Sequence, residues 1–208
     1  MSQPALPLRF WEYNHSALFP ERVLAITDGF PLLVCGPKNK FLARLLRSGK
    51  YKTFVFKGEL SISLCGFPID YTGLHIGIRN DGRLWKENLN RIAQIFKWEY
   101  WLGDKAYVGC AEMLTEIKKP RGGDLTPREI KWNAEIQHDR ARVEHLIAVV
   151  TQKRAVMTTR WRGSHTLLDG LAHIAAHMTG LEERMKGPRY DVYGPWPVCS
   201  PAVMARYP

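Results

Sequence analysis

Val23-Leu24-Ala25-Ile26-Thr27-Asp28-Gly29 reads as an apolar strand closed by an acid. Four consecutive apolar residues are long enough for a buried strand, and Asp-Gly is a common way out of one. Two other segments carry a single acid in a comparable setting. Leu102-Gly103-Asp104-Lys105-Ala106-Tyr107 follows an aromatic run from residue 96, and Arg140-Ala141-Arg142-Val143-Glu144-His145 lies inside a long helical period. Acids so far apart in sequence are no local ladder of ion pairs. A fold that gathers them creates a self-repelling negative site, which suits a divalent cation.

Outward from these segments the order is mixed α/β. The first strand is expected to end at Asp28-Gly29, with residues 31–34 extended beyond it. Residues 51–64 alternate and are rich in Phe, Val and Ile, with Lys57-Gly58-Glu59 as an expected interruption; residues 67–78 supply another extended stretch. Such close runs favour antiparallel pairing. Asn80-Asp81-Gly82 reads as a turn or cap before a helix over residues 84–96, and residues 97–102 as the next strand. Thr126-Pro127-Arg128-Glu129 carries both the capping-box spacing and proline at the first helical position. It starts a helix expected over residues 127–156 with Ile130, Ile136, Val143, Ile147 and Val150 as its apolar positions. On that helix Asn133, Gln137, Arg140 and Glu144 share one face. A second amphipathic helix is expected over residues 167–185, apolar at Leu171, Ile174, Met178 and Leu181. Residues 1–22 read as a lead-in, 23–186 as the domain, and 187–208 as an extended tail rich in Pro and Tyr.

Thirty Lys and Arg against twenty Asp and Glu, a net charge of +10, make a polyanion the natural partner. Lys38, Lys40, Arg44, Arg47, Lys50 and Lys52 crowd one segment. Cys35, Cys65, Cys110 and Cys199 show no metal or disulfide spacing, which suits a reducing compartment. No apolar run approaches membrane-spanning length and the start lacks signal-peptide order, so the expectation is an intracellular protein with no membrane partner. His173 and His177, one turn apart, lack the acid that would make a metalloprotease motif and read as packing residues. His145 points off the Glu144 face. Asp81 is a helix-capping acid or an auxiliary ligand, and Trp132, Trp161 and Trp196 are packing residues or stacking platforms for bases.

Taken singly, each acid has an ordinary alternative: Asp28 a turn residue, Asp104 a cap, Glu144 with Arg140 a solvated helix pair. The surrounding residues change that balance. Ile26-Thr27-Asp28-Gly29-Phe30-Pro31, Ser48-Gly49-Lys50-Tyr51, Gly73-Leu74-His75-Ile76-Gly77 with Asn80-Asp81 and Leu84-Trp85, Gly103-Asp104-Lys105-Ala106-Tyr107, and Asn133 with Arg140 and Val143-Glu144 follow one another in order. This set resembles the motif series of DDE-superfamily transposases of the Harbinger type and their domesticated nuclease relatives. The resemblance implies an RNase H-like fold, a mixed five-stranded sheet flanked by helices. It also implies an Asp-Asp-Glu triad of Asp28, Asp104 and Glu144 that holds Mg²⁺ or Mn²⁺ and cleaves DNA in the nucleus. Phosphodiester hydrolysis needs an activated water and charge stabilisation at the leaving oxygen, which two hard cations on carboxylates supply. The alternatives are a domesticated binding protein that no longer cuts, and an RNase H-like ribonuclease. Residues 1–22 leave no room for a DNA-reading module, so targeting is expected from a separate DNA-binding partner.

Overall fold

The computed structural model describes residues 22–88, 95 and 97–186. The chain order is β1 (Val23–Leu33), α1 (Lys40–Leu46), β2 (Arg47–Ser48), β3 (Thr53–Ser63), β4 (Pro68–Tyr71), β5 (His75–Ile76), α2 (Asp81–Glu87), β6 (Tyr100–Gly103), β7 (Met113–Thr115), α3 (Pro127–Lys153), α4 (Ala155–Thr158) and α5 (His165–Lys186). Apart from Arg22, the expected lead-in lies outside the described residues, as do the tail and most of the stretch between Asn88 and Lys97.

One mixed sheet, five strands wide, organises the domain. β1 is central, antiparallel to β3 and parallel to β6, and β6 is parallel to β7. The three short strands β2, β5 and β4 take successive stretches of β3's outer edge. Residues 23–26 are fully buried, as a central strand covered on both faces requires. Val23, Ile26, Phe30 and Leu32 join Leu60 and Ile62 in the core under α3 and α5; Ala25, Trp85, Trp101 and Tyr107 form a second core on the other face, beside α2.

Two expected breaks are absent. β1 runs through Asp28-Gly29 to Leu33, and β3 runs through Lys57-Gly58-Glu59, the two strands pairing continuously from Ala25↔Ser63 to Leu33↔Val55. Long-range partners remove the cost of these polar residues. The Tyr107 hydroxyl donates to buried Glu59 Oε1 at 2.6 Å, and Lys57 Nζ donates to Asp81 Oδ1 at 3.0 Å and to the Arg79 carbonyl at 2.8 Å. Gly58 clears space for aromatic rings: a Cβ there would sit 2.8 Å from Phe30 Cζ and 2.9 Å from Tyr71 Cε2.

The capping box forms as the sequence predicts, with Glu129 N donating to Thr126 Oγ1 at 3.3 Å and Thr126 N to Glu129 Oε2 at 2.7 Å. α3 ends at Lys153, short of residue 156, and Ile130 is 56% exposed rather than apolar core. α2 stops at Glu87 with Asn88 as its cap. α5 spans its expected length but is turned the other way. It buries Leu168, Ala172, Ala175, Ala176 and Gly180, and leaves Ile174, Met178 and Leu181 exposed. Its small face allows close approach to β4, where a Cβ on Gly180 would meet Pro68 Cγ at 3.4 Å. Among the described residues no helix is long and apolar enough to cross a membrane, and Cys35, Cys65 and Cys110 form no disulfide.

Candidate active site

The parallel register of β1 and β6 brings two of the three predicted acids together. Ile26 pairs with Leu102, and two residues further along each chain are Asp28 and Asp104. Side chains two apart share a face, so both acids lie on the side of Ile26 and Leu102, where α3 packs. Asp28 is therefore mid-strand in β1, just past the point where β6 ends. Asp104 caps the 3-10 turn Lys105–Tyr107, its Oδ1 accepting from Ala106 N at 2.7 Å. Together with Gly29, Phe30, Lys50, Tyr51, Lys57 and Asp81 they line a small pocket of about 50 Å³.

Burial pushes the Asp28 carboxyl up to about 6, and the charges of Asp104 and Glu144 act in the same direction. The Arg140 guanidinium and the Gly29 N–H, which donates to Asp28 Oδ1 at 2.8 Å, oppose that rise without cancelling it. A carboxylate desolvated beside other carboxylates is short of positive charge.

α3 supplies the facing wall. Asn133 and Arg140 are buried on the face their spacing predicts, and Gln137 between them, though exposed, reaches Glu116 from the same face. Asn133 clamps the chain after β7, accepting from Ile117 N at 2.7 Å and donating to Ile117 O at 3.0 Å. Arg140 reaches Asp28 Oδ2 at 3.4 Å, Glu144 Oε1 at 3.5 Å and Glu116 Oε1 at 3.1 Å. Glu144 stands at the outer end of this face, its side chain 60% exposed, and meets Asp28 through Arg140. The sequence reading expected three acids forming a metal centre. Instead, Asp28 and Glu144 meet through the Arg140 guanidinium, and among the described residues no group of three His, Cys, Asp or Glu side chains is close enough together to hold an ion.

Glu116 escaped the sequence reading. It is buried, with Lys105 Nζ at 2.8 Å, Gln137 Nε2 at 3.2 Å and Arg140 around it. Burial pushes its carboxyl up, but the hydrogen bonds and charges of those partners outweigh that and hold it below the ordinary range. The signal that points to it is the short apolar strand Met113–Thr115 immediately before it, too brief to register as a strand by pattern.

The remaining candidates separate cleanly. Asp81 is the first residue of α2, with Asn80 at the cap position, and it enters the pocket paired to Lys57; a Cβ on Gly29 would meet its Oδ1 at 3.4 Å. His173 and His177 stack on each other at the surface with ring centroids 6.5 Å apart, and His145 is exposed beside Glu144. Trp132 packs on the core and donates to Thr115 O at 3.2 Å; Trp161 donates to Ser164 O at 2.9 Å. Trp196 lies outside the described residues. Lys38, Lys40, Arg44, Arg47, Lys50 and Lys52 are all exposed, a basic surface along α1 and the β2–β3 turn that reaches the pocket at Lys50.

A family model of DDE superfamily endonucleases matches residues 27–180, most of the chain and all of the site just described, and the chain belongs to that family. No curated protein and no solved structure gave a match.

Proposed function

We propose that this member of the DDE superfamily endonucleases is a transposase-type DNA nuclease of the Harbinger type, acting in the nucleus through an Asp28, Asp104 and Glu144 triad. The observation that carries this reading is the meeting of Asp28 and Asp104 in one pocket just beyond the β1–β6 pairing, with the Asp28 carboxyl pushed to about 6 by its surroundings. The strand order supports an RNase H-like fold: a central strand with one antiparallel and one parallel neighbour, and a second parallel strand beyond.

The donor set fits a hard cation, since the pocket offers carboxylate oxygens and neither His nor Cys. Asp28 and Asp104 would hold Mg²⁺ or Mn²⁺, with Glu144 completing the set. When bound, the metal supplies an activated water and charge stabilisation at the leaving oxygen. The protein's own residues do the rest. Arg140 orients Glu144, while Glu116, itself held by Gln137 and Lys105, fixes the guanidinium in turn. Lys50 and Lys57 offer positive charge to a phosphate entering the pocket, and the exposed basic surface along α1 tracks the DNA backbone. Such phosphate contacts position without reading sequence, so targeting is assigned to a separate DNA-binding partner.

A second reading, a domesticated derivative that binds DNA without cutting it, is favoured by Arg140 lying against both Asp28 and Glu144. Incubation with supercoiled DNA and with an RNA–DNA hybrid, each with and without Mn²⁺, decides among the readings. Manganese-dependent nicking of the DNA alone is expected, and Asp104→Asn should abolish it while leaving the fold intact. Binding without nicking supports the domesticated reading, and preferential attack on the hybrid supports a ribonuclease. Nicking by Asp104→Asn at the parental rate overturns the triad.

A further inference from the structure

The register of β1, β6 and β7 sets three carboxylates in a row. Gly103 pairs with Thr115 as Ile26 pairs with Leu102, so Asp28, Asp104 and Glu116 follow one another across three neighbouring parallel strands. Leu114 packs on the same core as Ile26 and Leu102, which puts Glu116, two residues on, on the α3 side with the two aspartates. Arg140 meets this row from α3, and its contacts are unequal. Nη1 donates to Glu116 Oε1 at 3.1 Å, within the ordinary range of a hydrogen bond. Nη2 is shared between Asp28 Oδ2 at 3.4 Å and Glu144 Oε1 at 3.5 Å, both beyond that range. Arg140 Nε is buried and has no hydrogen-bond partner among the described residues, so the guanidinium is incompletely satisfied where it stands.

Glu116 is the better anchored partner. Its side chain is 7% exposed against 60% for Glu144. Its Oε2 takes Lys105 Nζ at 2.8 Å and Gln137 Nε2 at 3.2 Å, which leaves Oε1 to Arg140. In the metal-dependent reading of the triad, Asp28 and Glu144 are ligands of a divalent cation, and they are the two carboxylates that Nη2 now bridges. A guanidinium and a metal ion on the same oxygens repel each other, strongly so in a buried site. The long Nη2 contacts are the ones that yield, whereas Nη1 has a carboxylate of its own.

We propose that Glu116 is a positioning residue for the metal site: Arg140 gives up Asp28 and Glu144 to the entering cation and is kept beside the site by Glu116. The proposal rests on the metal-dependent reading above. Titration of the full chain with Mn²⁺, followed by the paramagnetic resonance of the free ion, tests it without any cleavage. Glu116→Gln keeps the shape but removes the charge that draws Arg140 aside, so the Mn²⁺ dissociation constant should rise about tenfold. Arg140→Gln removes the competing guanidinium and should bring the constant below that of the parent. The deciding comparison is the double variant. Because Glu116 acts through Arg140, adding Glu116→Gln to Arg140→Gln should change the constant by less than about twofold; loss of negative charge acting directly on the ion would weaken both backgrounds alike. The parent alone supplies a second measurement. On addition of Mg²⁺ the ¹⁵N resonances of the Arg140 guanidinium should shift, while rotation about its Cζ–N bonds stays hindered by Glu116. A parent that binds no Mn²⁺ overturns the metal reading and the proposal with it. Mn²⁺ binding in which Glu116→Gln matches the parent, or weakens both backgrounds equally, overturns the proposal alone, as does an Arg140 guanidinium unmoved by Mg²⁺ or freely rotating in its presence.

Discussion

Helix α3 turns Asn133, Asp139, Arg140 and Arg142 toward the protein and leaves Ile130 in water, whereas α5 turns alanines inward and leaves Ile174 and Met178 outside. Each departs from the simple amphipathic pattern, and for opposite reasons. Buried polar groups are costly unless each has a partner. On α3 the partners are there: Asn133 on the Ile117 backbone, Arg142 donating to Leu64 O at 2.8 Å, and Arg140 among three carboxylates. On α5 the small residues allow the helix to lie close to the sheet, and the large apolar side chains Ile174, Met178 and Leu181 stand in water.

The largest effect that could break this contrast is at Arg140. Replacing it with Leu leaves Asp28 and Glu116 in place and removes the charge between them. Lys105 and Gln137 still hold Glu116, so the loss should fall short of the full penalty for a stranded buried charge, at about 3 kcal/mol. A urea titration reads it directly. An Arg140→Leu variant within about 0.5 kcal/mol of the parent would mean that the inward face of α3 is not held together by this guanidinium.

The capping box at Thr126 was legible because its chemistry is local: three residues satisfy each other's backbone groups wherever the helix packs. The same holds for the α3 face, since a spacing of four, three and four fixes direction from the sequence alone. The site acids were legible as candidates, and Asp28 and Asp104 do come together. That Glu144 would reach them only through Arg140 was not legible, because that depends on how far α3 stands from β1. The strand breaks expected at Asp28-Gly29 and Lys57-Gly58-Glu59 were misread for a related reason. The partners that meet those polar residues in a strand, Arg140 for Asp28, Asp81 for Lys57 and Tyr107 for Glu59, are distant in sequence. On α5 the inward face was misread because alanine and glycine carry little hydrophobic signal, so the large residues on the outer side dominated the period.

A smaller effect sharpens the contrast through pH. The folded Asp28 carboxyl titrates at about 6 against an ordinary value of 3.8. A raised carboxyl favours the fold while it is protonated; that contribution is fully present below about 4 and is lost as pH climbs through 6. Measured in a chelating buffer, Asp28→Asn should therefore melt higher than the parent at pH 7.5. The advantage should amount to on the order of 2–3 kcal/mol and should fade between pH 6 and pH 4. A pH-independent difference would place the burden on some other group.

The smallest effect compares the two faces of α5 directly. Ala172 is fully buried in the core, whereas Ile174, two residues on, is 58% exposed. Ala172→Leu adds volume where the helix lies close to the sheet, and overpacking of this kind costs about 1–3 kcal/mol. Ile174→Ser removes far more apolar surface, yet in a single chain it removes it from water, so the stability of the dilute protein should change by less than about 0.5 kcal/mol. Chemical denaturation at low concentration measures both. The order of the two costs is the discriminating result: if the isoleucine change proves worse than the alanine change in the single chain, α5 packs on its domain with the face that the sequence pattern first suggested.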